Sequence, residues 1–138
     1  MSLFSRKRDS GVQSFVLKLV NNHCAGVKAA IEGPRNDSRV TVVVPIMVVP
    51  IEGGEPQAGQ AFTTVTKDFS NTGVAIVVER APKFAEAFLG LRLGGDTTFL
   101  RAKVKHVRPI GGGLFQLGLQ MLDVVVTPDY PELESLSL

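Results

Sequence analysis

From Val40 onward the chain is a succession of apolar, β-branched stretches, each roughly five to eleven residues long and mostly separated by turn-forming residues. No long helical pattern lies between them. A parallel sheet needs crossover connections of that kind, so a βαβ arrangement is not expected. What remains is an antiparallel barrel or sandwich. The 138 residues suffice for one core and a modest appendage. A hydrophobic fraction of 44% belongs to a globular chain, not a disordered one.

Residues 10 to about 31 follow a different period. Val12, Phe15, Val16, Leu19, Val20, His23, Cys24 and Val27 recur at spacings of three and four, which predicts an amphipathic helix. Ser10 followed by Gln13 is a capping-box pattern and supplies a start. Asn21, Asn22 and Gly26 weaken the second half, so the helix is expected near residues 11–24. Its apolar stripe, His23 included, is read as packing surface. Residues 32–38 (EGPRNDS) are a turn-rich linker.

The strand region divides further. Residues 40–51 form a strand whose Pro45 and Pro50 restrict it to an edge, a bulge or a bend. Residues 52–59 are a loop. Residues 60–67 and 74–78 are strands on either side of a turn at residues 68–73. Residues 81–90 suit a short helical turn, and residues 91–93 a brief strand. In residues 97–107, Leu100, Ala102, Val104 and His106 share one face and Arg101, Lys103 and Lys105 the other. His106 is therefore expected as a half-buried core histidine, and the basic stripe as a solvated face. Gly111, Gly112 and Gly113 close a hairpin onto residues 114–124, with Phe115, Leu117, Leu119 and Met121 inward. The tail, with Pro128 and Pro131, is irregular or a short helical turn.

Charge narrows the function. The formal net charge of +2 sets up no field that would drive the chain onto nucleic acid or a membrane. The front is basic and the tail acidic, which is read first as two solvated ends. A lone Cys24 excludes a disulfide framework, and with only His23 and His106 beside it no zinc site is expected. No apolar run is long enough to span a bilayer, and no cleavable leader follows the basic start. A cytoplasmic protein is the expectation. Nothing in the sequence assembles a nucleophile, a base and an orienting group, so no enzyme is expected.

Two short elements carry chemistry. Arg35 and Arg39 form an R-x-x-x-R just before a strand. Asp68, Ser70 and Gly73 form a D-x-S-x-x-G turn between two strands. A guanidinium forks onto phosphate oxygens or onto guanine O6 and N7. A carboxylate accepts from guanine N1–H and N2–H₂, and a serine hydroxyl donates or accepts. Gly73 permits a positive φ and close presentation of backbone N–H groups. Each element alone is commonplace, the second being an ordinary hairpin turn. Together they suit a guanine nucleotide.

At these residues the chain resembles the PilZ domain family, in which an R-x-x-x-R segment precedes a strand and a [D/N]-x-S-x-x-G turn follows. Ala102 and Val104, the Gly111 to Gly113 loop and the closing apolar strand extend the resemblance over roughly residues 35–122. It implies an all-β fold, a six-stranded antiparallel β-barrel of the split, PilZ-like kind with an N-terminal helix. It does not reach the first thirty residues or the last fifteen, which stand as a helix-and-linker extension over residues 1–34 and an acidic tail over 125–138 on either side of the barrel domain at 35–124. It further implies binding of cyclic di-GMP as ligand, with no cofactor. Arg35 and Arg39 would clamp phosphates and guanines, Asp68 and Ser70 would read a guanine, and Gly73 would shape the loop. The linker would fold over the barrel on binding and move the helix, changing a surface offered to a downstream protein. Many members carry Trp where this chain has His106, and Pro34 stands where many carry a polar residue, which leaves open one ligand or a stacked pair. A homodimer is left open too. The alternative is a PilZ-like protein-interaction module, without ligand, in motility or pilus assembly.

Overall fold

The computed structural model describes residues 3–23, 39–126 and 129–136, with side chains at 11–22 and from Arg39 onward. The helix α1 (Leu3–His23) is followed by strands β1 (Val40–Thr41), β2 (Pro45–Glu52) and β3 (Glu55–Pro56). A single 3-10 turn (Ala58–Gln60) leads into β4 (Phe62–Phe69) and β5 (Gly73–Val78). Then come β6 (Glu86–Leu93), β7 (Asp96–Gly111), β8 (Leu114–Val124) and a short helix α2 (Pro131–Glu134). All strand pairings are antiparallel. Strands β4, β5, β8, β7, β6 and β2 follow one another, and a β4–β2 pairing closes the circle. The expected six-stranded barrel is present, with β1 and β3 as additional short strands.

Closure depends on β4, which pairs with β1 at one end and with β2 along the other. The chain between β1 and β2 is pinned by one buried threonine. Thr66 Oγ1 donates to the Val42 carbonyl at 2.6 Å and accepts from the Val44 amide at 2.9 Å. Pro45 opens β2 after this jog. Pro50 falls where the β4 pairing has ended and β3 takes over. There its carbonyl accepts from the Gln57 amide at 2.8 Å. The prolines thus stand at a strand start and a bend, as their missing N–H requires.

The strands β2 and β6 are apolar on both faces because both faces are covered. Ile46, Val48, Leu89 and Leu91 point into the barrel. Val12, Phe15, Val16, Leu19 and Val20 of α1 join the same core, so the helix stripe is packing surface as expected. Met47, Val49, Phe88 and Phe99 point outward into a second cluster capped by Leu133, with Tyr130 packed against it. The tail is therefore not a purely solvated end. Its carboxylates Glu132 and Glu134 are exposed, but Leu133 is fully buried and Tyr130 lies against Phe88 with ring centroids 4.7 Å apart.

Several local expectations are corrected. The helix begins at Leu3, so Ser10 and Gln13 lie inside it and form no cap. Residues 86–90 are strand, not helical turn, because Ala87, Leu89 and Leu91 alternate into the core. The loop at residues 52–59 holds the two residues of β3. His106 is exposed, not half-buried. The alternation of β7 is interrupted by a bulge between Val104 and His106, and His106 pairs with Gly118 on the outer face. One inserted residue exchanges the two faces of a strand beyond it. The linker expectations fall on residues 24–38, outside the described residues, as do Cys24 and the His23 side chain.

Candidate functional site

The D-x-S-x-x-G segment closes the β4–β5 hairpin. Register places its acid with care. Thr66 pairs with Ile76 on the inner face, and a bulge at the next residue makes Asp68 pair with Ala75 on the outer face. Phe69 then returns inward and is fully buried. Without the bulge Asp68 would face the core, where an unpaired carboxylate is costly.

Within the turn, the Ser70 amide donates to the Gly73 carbonyl at 2.9 Å, and the Gly73 amide donates to Ser70 Oγ at 3.0 Å. Ser70 is buried. Its oxygen accepts inside the turn, which leaves the hydroxyl proton as a further donor. Gly73 does not adopt the positive φ expected for it. It is required for space instead. A Cβ there would lie 2.7 Å from Ser70 Oγ and 3.6 Å from Arg39 Nη1. The Thr72 carbonyl accepts from Met121 at 2.7 Å and ties the turn to β8.

Arg39 arrives by register. Val40 pairs with Phe69 and Thr41 with Asp68, so the residue just before β1 is carried to the hairpin. Arg39 Nε donates to Asp68 Oδ1 at 2.5 Å. The side chain of Asp68 is 16% exposed and that of Arg39 44% exposed. An ion pair this open to solvent contributes at most about 1 kcal/mol. It orients both groups at little cost to their release. Four of the five expected residues, Arg39, Asp68, Ser70 and Gly73, therefore meet at one end of β4 and β5. The fifth, Arg35, lies outside the described residues.

The small residue Ala75 lies beside Asp68, and an imidazole lies beyond it. Asp68, Ala75, Gly118 and His106 form one transverse row across β4, β5, β8 and β7. The His106 ring lies on Gly118 so closely that a Cβ there would be 2.3 Å from its Cε1 atom. In the neighbouring row Val77, Gln116 and Arg108 are partners. Lys67, Gln116 and Arg108 were not anticipated from the sequence, and no local motif marks them. Only the bulges show which way they face. At the far end of β4 and β5, away from Asp68, a cavity of about 530 Å³ is bounded by Phe62, Val77, Phe84 and Leu114. It is mostly apolar and shares no residue with the turn. Among the described residues no group of His, Cys, Asp and Glu could hold a metal ion, and no helix is long and apolar enough to cross a membrane.

A family model for the PilZ domain matches residues 34–129. The chain belongs to the PilZ family. A similar solved structure is that of the Bacillus subtilis inhibitor of motility MotI/DgrA, with a TM-score of 0.50 at 14% identity. The match covers 74% of this chain and 54% of that one, so the chain spans about half the length of this neighbour. At that identity the likeness shows the fold. No curated protein matches the chain. PilZ domains are receptor and adaptor domains of a kind that binds cyclic di-GMP.

Proposed function

We propose that this PilZ domain binds cyclic di-GMP at the β4–β5 hairpin and signals through the change that binding produces. The observation that carries this reading is the meeting of Arg39, Asp68, Ser70 and Gly73 at one end of two strands. A guanidinium, a carboxylate and a hydroxyl converge there beside the small side chain of Ala75.

The Arg39–Asp68 pair serves as the resting state of the site. Incoming ligand gives each partner a better one. Arg39 turns to a phosphate or to guanine O6 and N7, and Asp68 accepts from guanine N1–H and N2–H₂. Ser70 donates its proton, while Gly73 keeps the turn low enough for close approach. Arg35, four residues before Arg39, supplies the second guanidinium. Exchanging an exposed ion pair for several charge-assisted hydrogen bonds, each about 1.5–3 kcal/mol, accounts for micromolar binding at about −8 kcal/mol. A cytoplasmic location and a downstream protein partner belong to the same proposal.

Titration calorimetry with cyclic di-GMP, with GTP and cyclic di-AMP as controls, tests the reading. Selective heat from cyclic di-GMP, lost in Arg39→Ala and Arg35→Ala, is the expected result. Unchanged affinity in both variants would rule out the clamp. The second reading is an adaptor in motility that works without ligand. Its support is the fold shared with a protein described as an inhibitor of motility. Under that reading saturating messenger gives no heat.

A further inference from the structure

The outer face that carries Asp68 also carries two cations drawn to one point. Lys67 Nζ donates to Gln116 Oε1 at 2.9 Å, and Arg108 Nη2 donates to the same oxygen at 3.3 Å. Lys67 comes from β4 and Arg108 from β7, with β5 and β8 between them. Gln116 is buried, so its amide is a fixed post for both. Among the described residues neither Lys67 nor Arg108 takes part in an ion pair. Two like charges held together without a counter-charge repel, and an anion placed between them relieves the repulsion. Several N–H donors with two positive charges fit a phosphoryl group.

The strand geometry that aims these side chains is not what alternation alone would produce. In β7 the even-numbered residues Leu100 and Ala102 face the core. Continued alternation would send Arg108 inward as well. The bulge between Val104 and His106 turns it outward, opposite Gln116. In β4 the corresponding bulge falls at Lys67 and turns Asp68 outward. Two bulges in two strands thus direct Asp68 and Arg108 onto one face, with Ala75 and the His106 ring over Gly118 between them. Bulges re-aim side chains in this way beside binding sites. Three strand spacings separate β4 from β7, about 14 Å, which is room for a nucleotide lying across the strands.

We propose that Lys67 and Arg108, positioned by Gln116, bind a phosphoryl group of the same cyclic dinucleotide whose guanine is read at Asp68. This rests on the reading given under Proposed function. Calorimetry on the full chain with cyclic di-GMP compares wild type with Lys67→Gln, Arg108→Gln and the double variant. Each single variant is expected to bind roughly tenfold more weakly, with a shallower dependence on salt. Arg92→Gln on β6 serves as control and is expected to bind as wild type does. Wild-type binding that survives within twofold in both single variants overturns the inference while leaving the Asp68 reading intact. A second probe separates the two failures. Inorganic pyrophosphate, followed by amide NMR, is expected to shift Gln116 and Arg108 in the wild type and not in the double variant. That result with no binding of cyclic di-GMP refutes the dinucleotide reading but keeps the anion site. No pyrophosphate shift and no messenger binding refute both.

Discussion

The two sides of the barrel's outer surface treat their residues in opposite ways. On the β2–β6–β7 side the outward residues are large and apolar, and the chain's own tail covers them. Its half-buried cation Arg101 is neutralised. Arg101 Nη1 lies 2.9 Å from Glu86 and its Nε 3.1 Å from Asp123. Burial alone would lower the pKa of this guanidinium, but the Asp123 charge and the hydrogen bonds to Glu86 and Asp123 outweigh it and raise it. On the β4–β5–β8–β7 side the outward residues are small (Ala75, Gly118) or polar and charged (Lys67, Asp68, His106, Arg108, Gln116). Lys67 and Arg108 have a shared amide oxygen in place of a carboxylate, and the Arg39–Asp68 pair is open to solvent. On the first side Arg101 has two carboxylates. On the second Lys67 and Arg108 share a neutral amide oxygen, which leaves their charge available to an anion. Interactions that serve stability are satisfied internally, and those that serve binding are left partly unsatisfied.

The contrast can be broken most severely at the covered side. Phe88→Ala removes a buried ring from the outer cluster and its tilted ring contact with Tyr130. A loss of about 3–5 kcal/mol is expected in urea unfolding. Leu133→Ala should cost less, about 2 kcal/mol, because a four-residue helix can settle into part of the space. By comparison Arg108→Gln on the other side should change stability by under about 0.5 kcal/mol. If the Leu133 variant is as stable as wild type, the tail is not part of the fold's support, and the distinction between the two sides loses its basis.

Gly73→Ala tests the open side. The new Cβ must displace Ser70 Oγ, which is locked by the turn it closes. Overpacking of this kind costs about 1–3 kcal/mol. The larger consequence is for ligand, with at least a tenfold loss of cyclic di-GMP affinity expected by calorimetry, measured where the variant remains folded by circular dichroism. Gly118→Ala is the milder partner. Its Cβ meets the exposed ring of His106, which can swing away, so about 1 kcal/mol of stability is expected to be lost.

How far these features could be read from residues alone follows the same division. The barrel was legible because β-branched stretches of strand length recur with turn residues between them, and the α1 stripe because its period is helical. The Arg39, Asp68, Ser70 and Gly73 set was legible as a motif. The orientation of the outer face was not. A bulge has no fixed sequence signature, so the alternation that correctly placed Leu100 and Ala102 inward misplaced His106 and gave no hint of Arg108. Residues 86–90 read as a helical turn because Ala, Glu and Leu favour helices locally, and the barrel's demand for alternating apolar residues prevailed. The tail's role was hidden by its charges. Four carboxylates after residue 122 suggested a solvated end, although Leu133, Tyr130 and Leu136 among them pack on the barrel.

The smallest expected effect is also the sharpest test of whether the two sides act independently. Asp123→Asn removes one of the two carboxylates that hold Arg101. Side chains about 30% exposed on both partners limit the loss to about 1 kcal/mol or less. The raised pKa of Arg101 makes its contribution fully present below the unfolded-state value and lost only as pH climbs through the folded one. That window lies in strong alkali, so no pH dependence from Arg101 is expected in the neutral range. Glu86 continues to hold the guanidinium in the variant, and nothing about Lys67 or Arg108 changes. Cyclic di-GMP affinity should therefore match wild type. A large change in affinity would show that charge on the covered side reaches the binding side through β7, the strand they share, and the two faces would have to be treated as one coupled system.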